Sequence, residues 1–400
     1  MVLRIKYFNR YSFIISYFIG VLTPYLYLIF FKNLNLFLKR RVYQNKIFQF
    51  FFIFFILQLL STFLSIFGKY NIDYIRYIAI THNYANYFLF MLGMIWLYDN
   101  TQRRKEFFYS IQVLYYIISF ISIVSFIYSF YTLNMIHYEG LLSKLTGVSN
   151  NYTQVNINSR GFLENSIFPR TRLFATYSNT SAIVMYIVFS IYLIEFRHSK
   201  LIINIIFIIF ATIAIFTTAS RIVLITFIFW SYLYLLQDRQ KLLITLSVIT
   251  LISLLYYNEI IAIFSYINNT RSDSSNTRLH LYKESLELMT QTNILFGLGL
   301  KPRLDVIKDL PIGSHSTLIG YFVKNGLIGG SYILIGYIFL SIYTFKTLLL
   351  KKYAKNKMYV FSLFFLSIIF IFEDMDSYEF VAFLTGILIY LSFFNKGNNA

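Results

Sequence analysis

Residues 277–330 read TRLHLYKESLELMTQTNILFGLGLKPRLDVIKDLPIGSHSTLIGYFVKNGLIGG. The stretch begins as a polar segment with helical spacing and then passes through Gly297, Gly299 and a charged turn. It ends where His315 precedes a new apolar segment. Upstream of it, one other long polar window, residues 134–177, interrupts a chain that consists mainly of apolar runs. We therefore expect a membrane-embedded body that carries two long loops, at about residues 134–177 and 258–314.

The composition supports a membrane protein. Of the 400 residues, 58% are hydrophobic, against roughly 45–50% in soluble domains, and many uncharged runs approach or exceed the roughly 18–20 residues that span a bilayer. The sequence predicts one all-α polytopic membrane domain over residues 1–400. The net charge of +18 indicates basic cytoplasmic loops rather than nucleic-acid binding. Cysteine is absent from the chain, which excludes disulfides and cysteine–metal sites.

About eleven transmembrane helices are predicted, within a range of ten to twelve. The expected spans are residues 11–31, 47–67, 77–98, 107–131, 179–196, 201–217, 222–236, 242–257, 316–344, 359–372 and 380–394. The first contains Gly20 and Pro24, so it is either one kinked helix or a re-entrant pair, which leaves the side of the N-terminus open. The span over residues 316–344 is expected to break near Lys324.

Basic loops set the predicted orientation. If both polar windows lie outside, the loops at residues 32–46, 103–105, 197–200, 239–241 and 346–357 fall inside, and all of them are basic. The acidic turn at residues 373–379 then falls outside. The sequence thus predicts a multi-pass protein of the cytoplasmic membrane with its polar windows on the extracytoplasmic face.

Seven arginines run against this charge rule, because they lie in the outer windows or in the turn TTASR at residues 217–221. They are Arg160, Arg170, Arg172, Arg221, Arg271, Arg278 and Arg303. The planar guanidinium fork suits phosphate oxygens. A lipid-linked diphosphate at the membrane surface is therefore a candidate ligand, with ordinary loop ion pairs as the alternative.

Five short motifs follow one another in a fixed order. They are RLFATYSN at 172–179, TASR at 218–221, Arg278 ahead of FGLG at 296–299, HSTL at 315–318 and NGLIG at 325–329. This order and spacing resembles the O-antigen ligase and Wzy-type polysaccharide polymerase superfamily of bacteria, over roughly residues 172–330. The chain departs from the family pattern at Ala175, where glycine is common, and at Ser178, where proline is frequent.

The resemblance implies a GT-C-like glycosyltransferase that needs no metal and no cofactor. Such an enzyme joins oligosaccharide repeat units carried on undecaprenyl diphosphate, at the outer face of the membrane, in capsule, O-antigen or other exopolysaccharide assembly. Its implied partners are the lipid-linked glycans, the bilayer, a flippase and a chain-length regulator, and not nucleic acid. Transfer would proceed with inversion at the anomeric carbon.

The same resemblance implies the roles of individual residues. His315 and Arg278 would be catalytic, with His315 as the base that takes the acceptor proton. Diphosphate or glycan would be bound by Arg172, Asn179, Ser220, Arg221 and Asn325, and the outer-arginine argument adds Arg160, Arg170 and Arg303 to this set. Simpler interpretations stay open: Asn179 as a helix cap, Arg221 as a snorkelling side chain and Arg278 as a solvated arginine in the first turn of an amphipathic surface helix. A metal site on His280 and His315 lacks a ligand pattern.

Three other functions compete with the polymerase. A ligase of the same superfamily would pass the glycan to a different acceptor. A lipid-linked oligosaccharide flippase would place ionisable residues near the bilayer midplane, whereas here Lys324 is the main charge within a span. A non-catalytic sensor would not need the ordered arginines and histidine. The gathering of polar residues in outer windows favours an enzyme.

Overall fold

The computed structural model describes residues 26, 31, 35, 37, 40–66, 74–98, 100–132, 134, 136–139, 154–156, 158–159, 169–173, 175, 177–236, 272–291, 293–301, 315–348, 355–375 and 379–394. The predicted span 242–257, nearly all of the predicted span 11–31, and the candidate residues Arg160 and Arg303 lie outside this set.

Helices make up most of the described chain. They are α1 Arg40–Tyr43, α2 Lys46–Ile66, α3 Tyr74–Trp96, α4 Thr101–Thr132, α5 Ser178–Glu195, α6 Leu201–Phe216, α7 Arg221–Leu236, α8 Ser272–Gln291, α9 Thr317–Leu348, α10 Lys355–Phe372 and α11 Glu379–Ile389, which continues as a π-helical turn, Tyr390–Phe394.

Five of the described helices are long and apolar enough to cross a membrane, namely α2, α4, α5, α9 and α10. Shorter apolar helices occur in α3, α6, α7 and α11 with its π turn. All nine coincide with predicted spans, so the helical, multi-pass character of the chain is confirmed. The total of about eleven spans and the GT-C-like arrangement remain predictions.

The core is built around α5. Nearly every residue of α5 is buried, as expected for a helix that is apolar on all sides, and it packs against α4, α6, α7, α10 and α11. Helices α3 and α11 pack closely where Gly93 and Gly386 face each other. A Cβ on Gly93 would lie 2.2 Å from the carbonyl oxygen of Phe383, so the approach depends on small residues.

The first polar window contains two short antiparallel strand pairs, which the all-α prediction did not include. Strand β1 (His137–Glu139) pairs with β2 (Gln154–Asn156), and β3 (Asn158–Ser159) pairs with β4 (Arg170–Thr171). The backbone of a long loop needs hydrogen-bond partners, and these ladders supply some of them. Strand β4 leads towards the start of α5 and so positions Arg170 and Arg172.

Helix α9 is broken where the sequence predicted a break. Gly326 adopts φ 62° and ψ −160° inside it, and the loop at residues 293–299 repairs the lost backbone pairing. The amides of Leu298 and Gly299 donate to the carbonyls of Val323 (2.9 Å) and Lys324 (2.7 Å). In return, the amides of Leu327 and Ile328 donate to the carbonyls of Ile294 (2.8 Å) and Leu295 (3.1 Å). A broken helix is tolerated in a bundle when neighbouring groups satisfy its backbone in this way.

Glycines make this junction possible. Gly297 has φ 71°, and a Cβ on it would lie 2.4 Å from the backbone nitrogen of Gly326. The carbonyl of Gly299 accepts hydrogen bonds from Gln58 Nε2 (3.1 Å) and Thr62 Oγ1 (3.2 Å) of α2. The FGLG and NGLIG motifs therefore form one structural unit, which we call the α9 junction.

Candidate active site

The candidate site is centred on a buried carboxylate, Glu373, which follows the last residue of α10. Its side chain accepts hydrogen bonds at Oε1 from Asn179 Nδ2 (2.8 Å) and from Arg278 Nη2 (3.0 Å). Its carbonyl oxygen accepts from the amide (3.2 Å) and the hydroxyl (2.8 Å) of Thr317. Elements α5, α8, α9 and α10 therefore meet at this one residue.

Arg278 faces this carboxylate from α8. Its Nη1 also donates to the carbonyl of Phe372 (3.3 Å), and its side chain is 26% exposed while that of Glu373 is 7% exposed. Helix α8 begins at Ser272, so Arg278 lies nearly two turns inside the helix. The expectation that Arg278 occupies the first turn is wrong, because the helix extends into the preceding polar segment. Its positive charge is compensated by Glu373 rather than by solvent alone.

The side-chain amide of Asn179 links Arg170 to Glu373. Its Oδ1 accepts from Arg170 Nη2 (3.2 Å), while its Nδ2 donates to Glu373. The N-cap of α5 is Tyr177, which makes no side-chain capping bond. The interpretation of Asn179 as the helix cap is therefore wrong, because its amide is committed to Arg170 and Glu373.

Arg170 also ties the first polar window to the TASR turn. Its Nε donates to the carbonyl of Thr218 (3.2 Å), and the amide of Thr171 donates to the carbonyl of Thr217 (2.9 Å). This turn delivers Ser220 and Arg221 to the start of α7. The two motifs, whose arginines Arg172 and Arg221 are 49 residues apart, thus border the same corner of the site.

Strained backbone is concentrated around this site. The described non-glycine residues with positive φ are Leu173 (47°), Ala219 (54°) and His315 (63°). One follows Arg172, one lies in the TASR turn, and one is the candidate base. Such conformations cost of order 1–3 kcal/mol each and persist where the surroundings enforce them, often at functional sites.

His315 is held by its backbone rather than by its ring. Its amide donates to Asp374 Oδ2 (3.1 Å), and its carbonyl accepts from the Tyr282 hydroxyl (2.7 Å). Asp374 is itself fixed by Lys301, whose Nζ lies 2.7 Å from Asp374 Oδ1. Among the described residues, the imidazole of His315 makes no hydrogen bond.

Burial sets the ionisation of the two central groups. Burial, with the nearby charge of Arg278, lowers the pKa of His315 to about 4, so its imidazole is neutral at pH 7. Burial also raises the pKa of Glu373 above its usual range, against the opposing effect of Arg278 and Asn179. The site therefore places a neutral imidazole beside an arginine. That arginine is paired to a carboxyl group whose ionised form is disfavoured by burial.

Arg172 differs from the other described arginines of the site. Its guanidinium is half-buried, burial lowers its pKa, and it has no hydrogen bond or ion pair to the residues that the structure describes. The buried hydroxyls of Thr171 and Ser220 also have no partner among those residues. A half-buried cation beside unpaired hydroxyl donors favours the binding of an anion.

Asn325 is a candidate residue that the structure places away from Glu373. It lies in the α9 junction, eight residues or about 12 Å of helix beyond Thr317, and is 1% exposed. Its amide lies against Gly329 and has no hydrogen bond to described residues. Its family-implied role in binding remains a prediction.

Several residues of the site were not predicted from the sequence. They are Glu373, Asp374, Lys301, Tyr282 and Thr317. The signal for the two carboxylates was present, because they open an acidic turn on the side of the polar windows in a chain with only 17 acidic residues. Within the described residues, no group of three histidine, cysteine or acidic side chains is placed to hold a metal ion.

Fold and site together define a multi-pass membrane protein with an arginine–carboxylate cluster at the loop end of its helices. Residues 166–334 match the family model described as O-antigen ligase. This match covers 169 of the 400 residues and supports the O-antigen ligase/Wzy-type superfamily, whose members are glycan-handling membrane enzymes. The resemblance found in residues 172–330 is confirmed. No curated protein and no solved structure matches the chain.

Proposed function

We propose that this protein is a polysaccharide polymerase of the cytoplasmic membrane. It joins oligosaccharide repeat units carried on undecaprenyl diphosphate, at the outer face, by metal-independent inverting glycosyl transfer. The observation that carries the proposal is the convergence of Arg170, Asn179, Glu373 and Arg278, with His315 adjoining them, at one end of the bundle. The match of residues 166–334 to the O-antigen ligase model supports the class of reaction.

Diphosphate binding is assigned to the arginines. The Arg172 guanidinium has no hydrogen bond or ion pair to described residues and offers the first contact. Arg278 is held by Glu373, so a diphosphate that approaches it competes with a carboxylate already in place. Bidentate arginine–phosphate pairs are strong and oriented, and donors aimed at the charge that develops on a leaving phosphate oxygen lower the barrier.

The chemical step follows from this placement. The acceptor hydroxyl attacks the anomeric carbon on the face opposite the diphosphate, and its proton passes to His315. The bond between the anomeric carbon and the diphosphate oxygen breaks, and the departing diphosphate keeps the electron pair. A pKa of about 4 makes free His315 a weak base, but a bound diphosphate offsets the charge of Arg278 and raises that pKa towards the useful range.

A ligase is the nearest alternative, because it would use the same donor site and differ only in the acceptor. The family description itself names a ligase. A flippase is the alternative from a different class. It is favoured by one observation: Lys324 is fully buried beside the α9 junction, with its Nζ 4.7 Å from the ring centroid of Tyr321. The clustering of arginines at one end of the helices favours an enzyme over both a carrier and a sensor.

The direct test uses purified protein in vesicles that contain a fluorescent lipid-linked repeat unit. A polymerase converts it into a ladder of longer lipid-linked chains and releases carrier diphosphate, whereas a flippase moves it across the bilayer unchanged. Arg172→Ala and Arg278→Ala should yield no ladder, and Arg172→Lys should restore little, because an ammonium cannot reproduce the bidentate fork. Lys283→Ala removes an exposed cation of α8 and is the matched control that keeps the ladder. Movement of the repeat unit across the bilayer without formation of longer chains would refute the assignment as an enzyme.

A further inference from the structure

His315 lies one residue ahead of the hydrogen-bonded ladder of α9. The ladder starts at Ser316, whose carbonyl accepts from the amide of Gly320 (2.9 Å) and whose hydroxyl oxygen accepts from the amide of Ile319 (3.2 Å). Ser316 thus caps the helix. The carbonyl of His315 is therefore outside the helical pairing and takes its donor from another element. That donor is the hydroxyl of Tyr282 in α8, at 2.7 Å.

Two hydrogen bonds hold the backbone of His315, one on each side of its Cα. Its amide donates to Asp374 Oδ2 (3.1 Å), while its carbonyl accepts from Tyr282. Arg278 lies one turn before Tyr282 on the same face of α8. It donates to Glu373 Oε1 (3.0 Å), which belongs to the residue before Asp374, so the contacts form a closed ring. One face of α8 thus carries both a proposed diphosphate ligand and the support of the candidate base.

These two bonds maintain an unusual backbone conformation. His315 has φ 63°, and relaxation to the ordinary helical value of about −63° would turn its Cβ by roughly 125° about the N–Cα bond. The same turn would move the carbonyl, so the hydrogen bond from Tyr282 opposes it. Catalytic groups must be held to within about 0.5 Å, and a misplacement of about 1 Å can lower a rate by roughly 10²-fold. The direction of the imidazole therefore depends on the bonds that keep φ positive.

The Tyr282 hydroxyl is a donor and not a second base. Burial, together with the charges of Glu373 and Asp374 and against the effect of Arg278, raises the pKa of Tyr282 to about 12. The hydroxyl therefore keeps its proton at neutral pH, and that proton is committed to the carbonyl of His315. Any effect of this hydroxyl on the reaction must pass through His315.

We propose that Tyr282 is a positioning residue, which aims the imidazole of His315 at the acceptor hydroxyl by holding the His315 carbonyl. The proposal rests on the proposed function, because it takes His315 as the base. It also gives α8 two tasks. The face that presents Arg278 to the diphosphate also fixes the base, so donor binding and base placement depend on one helix.

The kinetics of Tyr282→Phe test this assignment. The change removes one oxygen atom and keeps the ring, so kcat for glycan elongation should fall about tenfold or more, while KM for the lipid-linked repeat unit stays within about twofold. Replacing Tyr282 with 4-aminophenylalanine returns a donor to the same place and should recover most of kcat. Tyr131→Phe removes the same atom from an 81% exposed tyrosine at the end of α4 and should change neither constant. An unchanged kcat in Tyr282→Phe, or a variant that unfolds, would overturn the proposal.

Diethyl pyrocarbonate reports on the imidazole without turnover, because it acylates a neutral histidine ring that it can reach. Mass spectrometry of purified protein in nanodiscs measures the rate at His315 between pH 5 and 8. The wild-type rate should be slow and constant, since burial lowers the pKa of His315 to about 4. Tyr282→Phe should react at least about fivefold faster at pH 8 and lose that rate as the pH falls through about 6.5. The charged groups around the ring, Arg278, Asp374 and Lys301, are unchanged in this variant.

The two measurements separate the positioning role from the proposed function. Faster modification of His315 in Tyr282→Phe, from a wild type that makes no glycan ladder, would refute only the polymerase. A lower kcat in Tyr282→Phe, with His315 modified at the wild-type rate, would refute only the positioning role.

Discussion

At the scale of single residues, Glu373 and Arg278 set the electrostatics of the site. Their side chains are 7% and 26% exposed, and the pair is extended by Asn179 and Arg170. Removing one member of such a pair leaves the other charge poorly solvated, which costs more than the pair itself contributes. The loss of function expected from Arg278→Ala therefore has two components, a lost phosphate ligand and a stranded carboxylate.

A double variant separates these components. Arg278→Ala should lower the free energy of unfolding by about 2 kcal/mol, a value reduced from that of fully buried pairs because Arg278 is partly exposed. Arg278→Ala/Glu373→Gln should recover most of that loss, since a neutral amide needs no counter-charge, yet should remain inactive. Thermal unfolding in detergent and a glycan-ladder assay measure the two effects. A double variant no more stable than Arg278→Ala would show that the carboxylate is not stranded.

The lowered pKa of His315 makes a prediction about acid stability. The imidazole titrates near pH 6.5 in the unfolded chain and at about 4 in the folded protein. Between those values the unfolded state binds more protons, so stability falls as the pH is lowered from 6.5 to 4, by about 3 kcal/mol in total. Glu373 has the opposite effect on the pH dependence of stability, because its pKa is raised in the folded protein.

Comparison with His315→Gln isolates the histidine. The melting temperature of the wild type should drop relative to that of His315→Gln as the pH falls from 7 to 4.5, with the two differing by a constant amount above pH 7. A temperature difference that does not change with pH over this range would show that His315 is solvated in the folded protein.

Motif order in the sequence selected Arg172, Asn179, Arg278 and His315 as candidates, and the outer-arginine argument selected Arg170. Glu373 was not predicted, and the cause is physical. It lies 194 residues from Asn179, and hydropathy along the chain does not show that the end of α10 packs against the start of α5. Only the packing of four helices brings the carboxylate to the arginines.

At the scale of elements, the α9 junction explains two glycine motifs together. The sequence predicted the break near Lys324 and placed Gly297 and Gly299 in the polar window ahead of it. It did not show that the loop supplies the backbone partners that the broken helix lacks. Hydropathy located the apolar helices well, but α4 begins at Thr101 rather than at residue 107, because a helix continues through a polar first turn that hydropathy assigns to a loop.

Substitution at the junction should therefore be costly. Gly297→Ala forces a positive φ on a residue with a side chain and drives its Cβ into the backbone of Gly326, so we expect a loss of at least 2 kcal/mol or failure to accumulate in the membrane. Gly336→Ala is the control, since its Cβ meets only the far edge of the Phe50 ring (2.9 Å). Protein level and thermal unfolding report both variants. Equal behaviour would contradict the close approach of loop and helix.

At the scale of the whole molecule, orientation in the membrane remains a prediction from charge. The cluster joins residues of both polar windows, namely Arg170 and Arg278, to the turn after α10, as expected if all three lie on one face. Reporter fusions after Ser149 and after Asn276 should therefore read outside, and a fusion after Tyr353 should read inside. An inside signal at either window would place the site on the wrong face for lipid-linked repeat units.

The most direct measurement of the central claim is the length of the glycans made in cells that lack the chromosomal copy of this gene. Cells supplied with the wild-type protein should show a ladder of lipid-linked chains. Cells supplied with His315→Ala, at the same membrane level, should accumulate single lipid-linked repeat units and no ladder, because donor is bound but the acceptor proton has no base. A wild-type ladder from His315→Ala would remove His315 from the chemistry, and a ladder in cells without the protein would contradict the polymerase itself.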